Sequence, residues 1–222
     1  MNIFYIFLLF NALSGLYYKY RTNFNSFNHF ISILFTKILN FLGYKYEELN
    51  LDNLPSKLII IGSHTSLYDF FIGLFYYYAV LHIKYDTYIL MKKEFEVIAT
   101  PLLTYFDPSF KLISVDSKKK GLTYQIIDNL KDKDNYTLFI APEGTRKLTN
   151  SLRSGYWNIA KELNVSVVYL GIDFSSKNIV FENCRNVKDS WGDEQLEFID
   201  SCKKYTPLYP ERCYWTKDFY NK

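Results

Sequence analysis

Residues 57–82 read KLIIIGSHTSLYDFFIGLFYYYAVLH, and the division of this stretch decides the fold. An apolar run, Leu58 to Ile61, follows Asn53-Leu54-Pro55-Ser56 and stops at Gly62. A short uninterrupted run of this kind, rich in β-branched side chains and bounded by turn residues, reads as a strand buried on both faces. Ser63, Thr65 and Ser66 are residue types that cap helices. The segment from Leu67 to His82 is then apolar and long enough for a buried helix. Strand, polar turn and helix in this order make the first half of a βαβ unit.

The alternation continues. TYILM reads as a second strand, followed by a helical stretch through KKEFEVIATPLLTYF that Pro101 divides. KLISVD, NYTLFIA and VSVVYLGIDF read as further strands, with KKKGLTYQIIDNLKD and SGYWNIAKELN as the helices between them. The expected fold is α/β, a mainly parallel mixed sheet flanked by helices. NIVFENC is expected to add an antiparallel edge, and the tail after Trp191 to be helical and then irregular around Pro207 and Pro210. No internal repeat or low-complexity linker divides the chain, which gives one α/β domain over residues 46–222.

Residues 1–45 form an N-terminal appendage of two apolar or amphipathic helices. The run from Ile3 to Tyr18 is interrupted by Asn11, Ser14 and Gly15, and falls short of the about 20 apolar residues that span a bilayer. Lys19 and Arg21 follow it, whereas a signal peptide carries its basic residues in front. A short anchor, or a segment embedded in one leaflet, fits better. In the second helix Phe27, Phe30, Ile31, Leu34, Phe35, Ile38, Leu39 and Leu42 recur at helical spacing, and Gly43 stands at its stop. Such a stripe usually packs on its own domain, and two aromatic-rich helices ahead of the first strand bring a membrane-surface anchor level with that reading. The expectation is a membrane-associated protein with its site on the cytoplasmic side.

Among 222 residues, 49% are hydrophobic, enough for a sizeable core. The net charge of +3 and the absence of a basic arm argue against nucleic acid as a partner. Cys184, Cys202 and Cys213 are odd in number and lack metal-ligand spacing, so neither a disulfide framework nor a zinc site is expected.

Two strand ends carry candidate chemistry. His64 and Asp69 would diverge by about 140° on one regular helix, so they meet only if His64 sits in the turn and Asp69 in the first turns of the helix. A carboxylate that fixes one imidazole nitrogen frees the other to accept a proton. The plainer role is structural, with His64 capping the helix and Asp69 satisfying nearby backbone. In APEGTRKL, Pro142 and Gly144 force a turn after a strand, and Glu143, Thr145 and Arg146 are expected to project from it together. Arginine's planar fork suits a phosphate; the plainer alternative is an ion pair between Glu143 and Arg146.

Taken together, HTSLYD and PEGTR resemble the H-x-x-x-x-D and P-E-G-T-R motifs of the glycerolipid acyltransferases that act on glycerol 3-phosphate and lysophosphatidic acid. Their order, and their separation by about eighty residues with two strands between, are similar to that family from Lys57 to Phe174. The chain departs from the pattern at Ser117, where the family commonly has an arginine after Val-Asp, and in lacking a proline in VVYLGI. The resemblance implies acyl transfer from acyl-CoA or acyl-carrier protein as co-substrate, with no bound cofactor or metal. His64 would be the general base and Asp69 its orienting partner. Arg146, with Lys118 as a point charge, would hold the acceptor phosphate in a pocket shaped by Glu143, Gly144 and Thr145. Partners would be membrane lipid and an acyl thioester. Two rivals remain: a hydrolase with Ser63 or Ser66 as nucleophile, and a silent lipid-binding protein.

Overall fold

The computed structural model describes residues 24–47, 49–82, 84–92, 110–115 and 121–216. Seven strands form one sheet: β1 (Lys45–Tyr46), β2 (Lys57–Ile61), β3 (Thr87–Lys92), β4 (Phe110–Val115), β5 (Tyr136–Ile140), β6 (Ser166–Asp173) and β7 (Asn178–Arg185). Their order across the sheet is β1-β7-β6-β2-β5-β3-β4. The five strands from β6 to β4 run parallel, and β7 pairs antiparallel to β6. The helices are α1 (Phe24–Phe41), α2 (Leu67–Tyr76), α3 (Leu122–Leu130), α4 (Gly155–Leu163) and α5 (Trp191–Cys202). The α/β expectation therefore holds, a mostly parallel sheet between helices. The edge assignment needs correcting: β1 pairs in parallel with the outer side of β7, so NIVFENC lies one strand in from the edge. A two-residue strand has no hydrophobic period to reveal it.

The continuous apolar runs make sense because both faces of the sheet are covered. On β2, Leu58 and Ile60 enter one core cluster while Ile59 and Ile61 enter the other. β6 does the same, with Val168 and Leu170 on the first side and Val167 and Tyr169 on the second. The first cluster is closed by α1 and α2, the second by α3, α4, α5 and the C-terminal segment.

α1 turns Ile31, Phe35 and Leu39 into that first core, and Phe35 and Leu39 are wholly buried. Burying each such side chain contributes about 1.5–3 kcal/mol. Phe35 stacks on Tyr78 with centroids 5.0 Å apart and meets Phe75 at 5.5 Å. α2 widens after Tyr76 into a π-turn at Tyr77–Leu81, and Tyr76, Tyr77 and Tyr78 are all buried. A regular helix would turn one of three consecutive side chains outward; here α1 and the sheet cover them from two sides. The opposite face of α1 leaves Phe30, Ile33 and Phe41 exposed. No helix among the described residues is long and apolar enough to cross a membrane. The first N-terminal helix expected from the sequence, the stretch around Pro101 and Lys118 lie outside the described residues.

Candidate active site

Parallel strands bring their C-terminal ends to one edge of the sheet, where loops and helix N-termini gather. β2 and β5 are neighbours there, with Ile61 paired to Ile140, and β6 flanks β2 with Tyr169 opposite Ile61. The residues just past this line are Gly62-Ser63-His64 after β2 and Ala141-Pro142-Glu143 after β5. Long-range pairing thus joins the two motifs. A side chain at Gly62 would come within 2.8 Å of the Leu170 carbonyl oxygen, so the turn passes against β6 only because residue 62 is glycine.

α2 starts at Ser66, whose hydroxyl accepts from the Asp69 N–H at 3.2 Å, while the Asp69 carboxylate receives the Ser66 N–H at 2.7 Å. This is a capping box built on an aspartate. Asp69 also accepts from the Thr65 N–H at 2.6 Å and the Ser66 hydroxyl at 2.9 Å. It is nearly buried, and its position is over-determined. Oδ2 of this held carboxylate lies 3.5 Å from His64 Nδ1. The distance exceeds a formed hydrogen bond, a common state for a catalytic pair before substrate closes it. His64 sits in the turn and Asp69 in the first turn of α2, the arrangement their spacing requires. Asp69 satisfies backbone and faces the imidazole at once; His64 caps nothing.

The PEGTR turn corrects one expectation: Glu143, Thr145 and Arg146 do not project together. Gly144 takes φ +62°, its N–H donates to the Ala141 carbonyl at 2.9 Å, and the Arg153 N–H donates to the Pro142 carbonyl at 2.8 Å. This tight turn sends Glu143 inward, where it is 2% exposed, and leaves Arg146 exposed to solvent. Glu143 Oε1 accepts the Ser63 hydroxyl proton at 2.9 Å, and Oε2 is buried without a hydrogen-bond partner. Burial pushes its carboxyl above the usual range, opposed in part by backbone donors, Ser63 and the neighbouring His64. Thr145 uses its hydroxyl locally, accepting from the Lys147 N–H at 3.2 Å. Arg153, unremarked in the sequence, lays its guanidinium over Gly144, with Nε 2.8 Å from where a Cβ would stand.

His64, Ser63 and Asp69 line an open cavity of about 200 Å³ whose remaining wall is apolar, including Phe70, Leu74, Tyr77, Ile89 and Phe139. It extends from the imidazole between α2 and the ends of β3 and β5. Neither nearby serine offers its proton to His64: Ser63 gives it to Glu143 and Ser66 to Asp69. Cys213 is wholly buried, and burial pushes its thiol up to about 12, so it is no nucleophile near neutral pH. No group of His, Cys, Asp and Glu among the described residues is arranged to hold a metal ion.

Residues 45–172 match the family model described as Acyltransferase. No curated protein matches the chain in sequence. Among solved structures, the chain is similar to the crystal structure of the 1-acyl-sn-glycerophosphate (LPA) acyltransferase PlsC from Thermotoga maritima. The TM-score is 0.51 at 14% identity, over 87% of this chain and 94% of that one. At that identity the likeness concerns the fold.

Proposed function

The chain belongs to the acyltransferase family, and from that premise we propose that it moves a fatty acyl group from a thioester to the free hydroxyl of a glycerophosphate-type acceptor such as lysophosphatidic acid. The donor is acyl-CoA or acyl-carrier protein. One juxtaposition carries the reading: an imidazole backed by a carboxylate on the wall of an otherwise apolar cavity. The similarity to an LPA acyltransferase supports the choice of acceptor.

With Nδ1 directed at Asp69, His64 presents Nε2 as the proton acceptor. The acceptor hydroxyl gives its proton to Nε2 as its oxygen bonds to the thioester carbonyl carbon. The tetrahedral intermediate then expels the thiolate, which takes that proton back, leaving an ester and a free thiol. General-base assistance of this kind is worth about 10²–10⁴ in rate. The acyl chain lies along Phe70, Leu74 and Tyr77, where apolar lining excludes water from the carbonyl. Glu143 acts from below as a brace between the two strand ends, while exposed Arg146, with Lys118, holds the acceptor phosphate. The outer stripe of α1, Phe30, Ile33 and Phe41, rests on the membrane from which the lipid is drawn.

The test is direct. The purified full chain is offered a panel of acyl-CoAs and acyl-carrier proteins with glycerol 3-phosphate or lysophospholipids, and products are identified by mass. Acylated glycerophospholipid with stoichiometric thiol release is expected. Thiol release that ignores the acceptor would instead make the protein a thioesterase, and binding without turnover a lipid carrier.

A further inference from the structure

We propose that Arg212 is a positioning residue for the His64–Asp69 pair, reaching it from the C-terminal segment outside the stretch that matches the family model. Its Nη1 donates to the Thr65 carbonyl at 3.1 Å. That carbonyl belongs to the same peptide unit as the Ser66 N–H, which donates to Asp69 Oδ2 at 2.7 Å. Asp69 Oδ2 in turn faces His64 Nδ1. A single peptide plane therefore has a cation on its oxygen and the catalytic-pair carboxylate on its nitrogen. Drawing on the oxygen polarises the amide and strengthens the bond its N–H makes, as in any hydrogen-bond chain. It also fixes the plane's rotation, and with it the direction from which Asp69 meets the imidazole.

The segment that delivers Arg212 is well anchored. Glu194 on α5 is fully buried and takes both prongs of Arg185 at 2.9 and 3.0 Å, together with the Tyr156 hydroxyl at 3.0 Å. After α5, Tyr205 stacks on Tyr169 of β6 and the Thr206 carbonyl accepts from the Phe174 N–H at 2.8 Å. Cys213 and Trp215 are then buried in the second core cluster. Between these anchors the chain makes a 3-10 turn at Pro210–Arg212, closed by the Arg212 N–H on the Tyr209 carbonyl at 3.0 Å. The guanidinium lies over the Tyr209 ring, 3.9 Å from its centroid, which limits the rotamers open to a long flexible side chain. Glu211 approaches Nε at 3.8 Å. An arginine on such a turn needs no partner in the strand-to-helix loop; the ring beneath it directs it there.

The proposal rests on the acyl-transfer reading, and the experiment separates the two. The full chain is compared with Arg212→Met, which keeps length and the ring contact without a donor or charge, and with Arg212→Lys. Amide hydrogen exchange is followed in peptides covering residues 62–70, and kcat and KM are measured for both substrates. Arg212→Met is expected to speed exchange at Thr65 and Ser66 about tenfold, with exchange in β2, β5 and β6 unchanged. It should lower kcat about tenfold with both KM values within twofold. Arg212→Lys should restore both readouts to within about threefold of wild type. Should Arg212→Met not fold, Tyr209→Leu loosens the guanidinium and should give the same pattern at about threefold. Unchanged exchange in the variant that folds overturns the proposal whatever the activity does. So does a raised acceptor KM with kcat held, which would make Arg212 a substrate ligand. A wild-type chain that transfers no acyl group overturns the functional reading, while the exchange result still decides the role of Arg212.

Discussion

The Ser63 hydroxyl donates to Glu143 Oε1 at 2.9 Å although the two residues are 80 positions apart in the chain. The bond ties the turn before α2, which carries His64, to the turn after β5. Glu143 is buried with its other oxygen unpartnered, and burial raises its carboxyl above the usual range.

Glu143→Gln isolates that titration, because an amide oxygen can still accept from Ser63. A raised folded-state value means the folded chain holds the proton more readily than the unfolded one. Glu143's contribution to stability is then fully present below the unfolded value, about 4.3. It is lost as pH rises from there through the folded value. The variant has no such decline. Its Tm relative to wild type should therefore become steadily more favourable from pH 4 to pH 7, read by thermal unfolding across a buffer series. A difference that stays flat with pH would mean that ionising Glu143 costs the fold nothing.

Replacing His64 by Ala should lower kcat by at least about a hundredfold with the fold intact, since general-base help accounts for that much. Asp69→Asn tests more. The amide can no longer accept from Thr65 and Ser66 with both oxygens, and it favours the wrong imidazole tautomer. Activity should fall comparably, and α2 should lose about 1 kcal/mol as its capping box opens. An Asp69→Asn enzyme that is destabilised but fully active would leave the aspartate a capping residue alone.

Much of this was legible in the chain. Leu58–Ile61 and the other apolar runs announced strands covered on both faces, and the spacing of His64 and Asp69 demanded a turn between them. The direction of Glu143 was not legible. It depends on β5 lying beside β2 in register, a pairing across about eighty residues that no local pattern encodes. β1 escaped because two residues carry no period. Arg212 escaped for a different reason: its segment is irregular, and its place is set by Tyr209, Cys213 and Trp215 rather than by spacing.

The outer stripe of α1 makes a further test. Phe30, Ile33 and Phe41 are 51%, 42% and 74% exposed on one face, while Phe35 and Leu39 opposite them are fully buried. Changing Phe41, the most exposed of the three, to Glu should leave Tm almost unchanged, because little buried area is lost. It should shift the protein from liposomes of anionic phospholipid to the supernatant in cosedimentation. Undiminished binding would assign membrane contact elsewhere.

The acceptor site is tested at Arg146, the last residue of the PEGTR segment, which the turn at Gly144 leaves exposed. If its guanidinium grips the acceptor phosphate, Arg146→Ala removes charge-assisted hydrogen bonds worth about 1.5–3 kcal/mol. That corresponds to a roughly 10–150-fold rise in KM for the acceptor, with KM for the thioester little changed, because one substrate alone loses a contact. Arg146→Lys should recover part of the loss, since an ammonium keeps the charge without the two-pronged geometry. Lys118→Glu extends the test to the position nearest the departure from the family pattern. A charge reversal at a phosphate should nearly abolish acceptor binding, whereas at a solvated surface screening holds the effect under about 1 kcal/mol. If neither Arg146→Ala nor Lys118→Glu moves the acceptor KM, neither side chain holds an acceptor phosphate. The glycerophosphate assignment would then lose these two supports, with His64 and Asp69 keeping their roles.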